Sequence, residues 1–196
     1  AIYGALAGAG ISYISPPASF ERTGQKIRTP DQILEHRMGT CMDLVTLAGA
    51  CLEQAGLHPL IVLVEGHAFV GTWLIDDSYP QDSDEDPVRL RKRVDLGEVL
   101  CFEAVGATSQ PAVPFERAVA DARRRLDRDA EFGSVVDIHA ARERRIRPLP
   151  IRLAPGAAFS AASEPPPGRA PTTPSPRPSP SDRSTAGGPA ATGADS

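Results

Sequence analysis

Between Thr40 and Ile75 two patterns of opposite period stand side by side, and no other stretch narrows the fold as far. In the first, apolar residues recur at Leu44, Leu47, Ala48, Cys51, Leu52 and Ala55, which are offsets 0, 3, 4, 7, 8 and 11. That is the spacing of one buried helical face. Thr40 suits the N-cap, and Asp43, three residues on, can reach back to the Thr40 amide. Gly56 fits the left-handed position past the end and Pro59 forbids continuation, so a helix is predicted over about 40–55. The second pattern, LIVLVEGHAFVGTWLI, is rich in β-branched and aromatic residues. Gly66 and Gly71 punctuate it, so it reads as two strands or one bent strand.

The flanking segments complete the outline. Ile11–Ile14 is expected to form a short strand ended by Pro16-Pro17. Thr29-Pro30-Asp31-Gln32 carries a cap, a proline at the first helical position and a capping-box glutamine. Ile33, Leu34 and Met38 follow at partial helical spacing, and Gly39 is expected to stop that short helix. Asp76–Pro87 (DDSYPQDSDEDP) reads as an acidic turn or loop, and Val99–Glu103 (VLCFE) as a strand. Phe115–Leu126 places Phe115, Ala118, Val119, Ala122 and Leu126 along one helical face. Val135–Ile138 and the arginine-rich stretch after it close the domain. The order is helix, helix, strands, helix, without βαβ alternation. An α+β domain that packs a helix on an antiparallel sheet is the fold class expected.

Composition sets the boundaries. Half of the 20 prolines among the 196 residues fall after residue 154, and Phe159 is the only large apolar residue from Pro155 onward. Residues 155–196 cannot bury enough apolar surface to offset their ordering entropy, so they are expected to be a disordered tail or linker. Residues 1–154 are expected to form one domain. The net charge of −4 argues against a broad nucleic-acid footprint. Arg142–Arg152 (RERRIRPLPIR) is locally basic and reads as a solvated helix end. No apolar run reaches the roughly 18 residues of a membrane span. The opening AIYGALAGAGISYI lacks the basic start of a signal peptide. It also lacks an initiator Met, as expected of an excerpt from a longer polypeptide. Three cysteines without C-x-x-C suit a reducing compartment, and the cytoplasm is the expected location.

Cys41 lies in the first turn of the predicted helix. There unpaired amides and the positive end of the macrodipole favour a thiolate, and an amide could also hold a developing oxyanion. Cys51, on the apolar stripe of the same helix, reads as core. His67 follows a glycine in the middle of an apolar run, sharing by alternation one face with Phe69, Gly71 and Trp73. It needs a polar partner there, which a core contact or Cys41 could supply. If the strand packs against the start of the helix, the two residues have the arrangement of covalent acyl transfer. Glu103 is the leading candidate to orient the imidazole, because a carboxylate ending an apolar strand is unexpected unless paired. Asp76 and Asp77 rank lower, since both belong to the acidic loop; Asp43 is explained by the capping box. Cys41 and Cys51 are ten residues apart, roughly 15 Å along one helix, too far to share a zinc ion.

RMGTCMDLVTLAGACLEQAGLHPLIV, then GHAF and Trp73, resembles the core of the transglutaminase-like superfamily. More narrowly, roughly residues 10–150 are similar to a bacterial domain found beside superfamily 1 helicase and nuclease modules in proteins associated with defence against mobile DNA. The resemblance implies a papain-like α+β fold with a triad of Cys41, His67 and, by strand order, Glu103. Most members place Asp followed closely by Thr at the third position, where this chain reads CFEAVGAT. Gln25 and Thr40 become candidate oxyanion or substrate contacts, Gln25 by analogy with an upstream polar residue of papain-like enzymes. No role is assigned to Arg28 or Arg37. The function expected is a cysteine peptidase or amidase acting on a protein or peptide, without metal or cofactor. Transglutamination or deamidation by the same triad, and a non-catalytic binding module of the same fold, are the alternatives. The implied partners are helicase or nuclease modules in the same polypeptide or operon.

Overall fold

The computed structural model describes residues 1–15 and 26–148. In chain order it holds α1 (Ile2–Gly8), β1 (Ser12–Tyr13), α2 (Pro30–His36), β2 (Met38–Gly39), α3 (Cys41–Gln54), β3 (Pro59–Val64), β4 (His67–Trp73) and β5 (Ser83–Asp84). Then follow α4 (Pro87–Asp95), β6 (Val99–Phe102), α5 (Phe115–Leu126), β7 (Phe132–Asp137) and α6 (Ile138–Glu143). Five strands form an antiparallel sheet in the order β5-β7-β3-β4-β6. β1 and β2 form a separate parallel pair. The protein is therefore mixed α+β. Among the described residues no helix is long and apolar enough to cross a membrane.

Two cores lie on the two faces of the sheet. Leu44, Leu47, Ala48 and Leu52 of α3 pack with Ala68, Val70 and Phe102. Leu60, Val62, Phe69, Trp73, Val99 and Cys101 turn the other way, toward Leu90 of α4 and Ala122 and Leu126 of α5. Cover on both faces explains why β3 and β4 read as nearly unbroken apolar runs instead of alternating ones.

The 59–73 stretch takes the first of its two expected forms, two strands joined by a two-residue turn, with Gly66 at φ +66. Several segments differ from expectation. Gly71 does not break β4. It faces Cys101, and a Cβ there would come within 3.0 Å of the Cys101 sulfur. α2 stops at Arg37, whose φ of 47 is left-handed, and Met38–Gly39 enters β2 instead of extending the helix. The acidic segment is not all loop, since Ser83–Asp84 pairs with β7. α4 was not anticipated, because Leu90 is its only fully buried apolar residue in a run of charges. Its signal was Asp86-Pro87: the Asp86 side chain accepts from the Val88 amide, and proline takes the first turn. The proposed Pro-rich tail and the Pro16-Pro17 break lie outside the described residues.

Candidate active site

The start of α3 is held by a reciprocal cap. The Thr40 amide donates to Asp43 Oδ2 at 2.9 Å and the Asp43 amide to Thr40 Oγ1 at 3.3 Å. Asp43 is fully buried, and Arg28 completes its shell, its amide donating to Oδ1 at 2.7 Å and its guanidinium to Oδ2 at 2.8 Å. Burial pushes the Asp43 carboxyl up, but these donors outweigh it and the net direction is down. Arg28, unassigned from sequence, thus fixes the helix end that carries Cys41.

His67 is not in the middle of its strand, as expected, but is its first residue. The register pairs Val70 with Phe102, so Glu103, one residue beyond β6, falls diagonal to His67 on the same face. His67 Nε2 and Glu103 Oε2 are 2.8 Å apart. Nδ1 is then the ring nitrogen left for Cys41, whose sulfur is hydrogen-bonded to the imidazole. Alternation would put His67 on the face away from α3. Its place at the strand end, beside the helix terminus, lets the ring bridge the two.

The hydrogen bond from His67 lowers the Cys41 thiol against the opposing effect of burial, and the Ala68 and Met42 amides add to the lowering. For His67, burial works downward, but the bonds to Cys41 and Glu103 and the Glu103 charge raise it to about 9, with Arg125 opposing. The same contact lowers the thiol and raises the imidazole, the two directions that favour a thiolate–imidazolium pair. Cys101, by contrast, is driven up to about 12 by burial.

Two neighbours were not legible in the sequence. Arg125 Nε lies 2.5 Å from Glu103 Oε1, an ion-pair contact without hydrogen-bond alignment, and it anchors the carboxylate from the side opposite His67. Tyr13, exposed and paired with Gly39 in the β1–β2 ladder, stands within electrostatic reach of Cys41 and Glu103. Burial first, then those two charges, raise its hydroxyl. The one signal for Tyr13 was the strand expected at Ile11–Ile14.

The other candidates separate from the triad. Thr40 is buried, its hydroxyl accepting from the Asp43 amide as the helix cap. Asp76 and Asp77 follow the far end of β4, roughly 20 Å of strand from His67. Asp77 Oδ1 accepts from the Ser78 amide and Oδ2 lies 3.6 Å from Arg93. Gln25 lies outside the described residues. No group of three His, Cys, Asp or Glu side chains among the described residues could hold a metal ion. In comparisons with known proteins the chain matches no family model, no curated protein and no solved structure.

Proposed function

We propose that this chain is a cysteine-dependent acyl-transfer enzyme, a peptidase or amidase with a papain- or transglutaminase-like arrangement of helix-borne cysteine, strand-borne histidine and acid from the neighbouring strand. The observation that carries the reading is the double engagement of His67, with the Cys41 sulfur on one side and Glu103 Oε2 at 2.8 Å on the other. A core histidine needs one partner; a general base needs a nucleophile and an orienting acid.

Cys41 sulfur attacks the amide carbonyl carbon, and the carbonyl electron pair moves to oxygen, where amides of the first turn of α3 stabilise it. The oxyanion collapses, the C–N bond breaks, and His67 gives its proton to the departing nitrogen. His67, neutral again, takes a proton from water, which attacks the thioester and releases the acid and the thiolate. Glu103 holds the Nε2–H, keeping Nδ1 toward sulfur. Transamidation replaces that water with an amine and uses the same residues. By its resemblance, the chain is proposed to act in the cytoplasm on a partner protein, beside helicase and nuclease modules.

Iodoacetamide labelling near neutral pH, followed by peptide mapping, tests this. Cys41 should label about tenfold faster than a free thiol, with Cys101 as the unreactive control, and His67→Ala should abolish the advantage. Labelling no faster than a free thiol, and indifferent to that substitution, sinks the reading.

A further inference from the structure

A cavity of about 340 Å³ opens beside the His67–Glu103 pair, bounded by Val105 and Val113, by Asp121, Arg124 and Arg125 of α5, and by Arg128 two residues past its end. The three α5 residues have the spacing i, i+3, i+4, hence one helix face, and Arg128 follows just beyond the helix end. Its wall includes His67 but not Cys41. That asymmetry locates the cavity in the reaction. The acyl group must sit over the sulfur, whereas the departing amine must sit over the imidazole that protonates it.

The charge of the wall then decides what it admits. Three guanidiniums face two carboxylates, Glu103 and Asp121. Glu103 is already engaged by His67 and Arg125. Asp121 is shared between Arg124 and a fourth guanidinium, Arg117, 2.9 Å away. Among the described residues Arg128 pairs with Glu131, at 3.2 Å. The side chains of Arg124 and Arg128 are 55% and 59% exposed, and such exposed pairs are weak enough to exchange for a ligand carboxylate.

We propose that this cavity is the leaving-group subsite and that it selects an acidic residue on the C-terminal side of the scissile amide. The inference rests on the acyl-transfer reading above and gives it a substrate class. It also bears on transfer: a lysine amine approaching as an ammonium ion meets the same cationic wall. Water, and hence hydrolysis, is favoured over cross-linking to lysine.

The test is to digest a proteome-derived peptide library with the full chain and with Cys41→Ala, and to sequence the cut ends. Asp or Glu should be enriched about fivefold in the first two positions after the Cys41-dependent cut. That enrichment should shrink in 0.5 M salt, and it should fall away in the Arg124→Gln/Arg128→Gln double variant. Both side chains point to solvent, so the buried face of α5 is untouched. As a second readout, the ratio of iodoacetate to iodoacetamide labelling at Cys41 should drop in the double variant. Cys41-dependent cutting without acidic enrichment, or enrichment and a labelling ratio that survive the double substitution, overturns the subsite alone. No Cys41-dependent cutting of any peptide overturns the enzyme reading and the subsite with it.

Discussion

Replacing Glu103 with glutamine removes one negative charge from the site and leaves its shape nearly intact. The amide oxygen can still accept from His67 Nε2, so the ring keeps a partner at the position now 2.8 Å away. What disappears is the charge that holds the imidazole in its protonated form. The pair is shielded from water, its side chains 13% and 10% exposed, so the charge acts at nearly full strength. Arg125, 2.5 Å from the carboxylate, loses its counter-ion and pushes His67 further down. The reactive form carries one proton on His67 and none on Cys41. A raised imidazole pKa keeps that form populated up to about 9, and it is lost as the pH rises through that value. In Glu103→Gln the falling limb of kcat/KM should move down from about 9 by about 1–3 pH units, equivalent to ~1.4–4 kcal/mol of imidazolium stabilisation. The rising limb should move up as the thiol loses its stabilised imidazolium. Near pH 8 the rate should fall by about 2- to 100-fold, the loss of protonated imidazole that such a shift produces there. The assay is the pH profile of kcat/KM on a peptide amide cut in a Cys41-dependent way. Asp76→Asn and Asp77→Asn serve as controls expected within about twofold of the unsubstituted chain. A falling limb still near 9 in Glu103→Gln, or equal losses in all three variants, refutes the assignment of Glu103.

Arg125→Gln should act with the opposite sign. Its positive charge opposes protonation of His67, so its loss should move the falling limb to higher pH, while the unanchored Glu103 costs about tenfold in kcat. Arg125→Lys should restore the limb more fully than the rate, and a limb that moves down in Arg125→Gln removes Arg125 from the site. Asp137 makes a separate prediction about stability. Fully buried, it accepts from Trp73 Nε1 at 3.0 Å, the Tyr79 amide at 2.8 Å and the Ala140 amide at 3.0 Å. Asp137→Ala should cost ~4 kcal/mol in urea unfolding; a loss under ~1 kcal/mol would show that those donors find other acceptors.

The parts of this fold that could be read in the sequence are those whose cause is local. The Thr40–Asp43 cap, the stripe of α3 and the left-handed Gly56 each follow from residues within one or two helical turns. Glu103 was legible for a different reason: a carboxylate ending an apolar strand advertises an unseen partner. What failed depends on distant chain. α4 received no assignment, because only the sheet face that covers Leu90 explains it. Alternation gave His67 the face it shares with Phe69 and Glu103, but not its place at the strand's start, from which the ring also reaches a helix end. Arg125 is one of three consecutive arginines on an amphipathic helix, and nothing local singles it out. Only the packing of α5 beside β6, where the Glu103 amide donates to the Ala118 carbonyl, distinguishes it from Arg124.

The two buried acids near Cys41 solve one physical problem in the same way. A carboxylate taken out of water and left unpaired costs ~3–5 kcal/mol, yet the site needs one at each side of the Cys41–His67 pair. Each is met by an arginine that reaches back to solvent, Arg28 with 27% and Arg125 with 36% of its side chain exposed. The charge is carried to the surface without burying a second ion completely, and guanidinium suits the role because it offers several donors in a fixed plane. The acids are nonetheless not interchangeable. Each Asp43 oxygen already accepts one bond from Arg28, and Oδ2 also takes the Thr40 amide. Asp43 can only hold the helix end still. Glu103 keeps Oε1 for Arg125 and Oε2 for His67. One acid therefore fixes where the Cys41 sulfur stands, and the other fixes which imidazole nitrogen faces it.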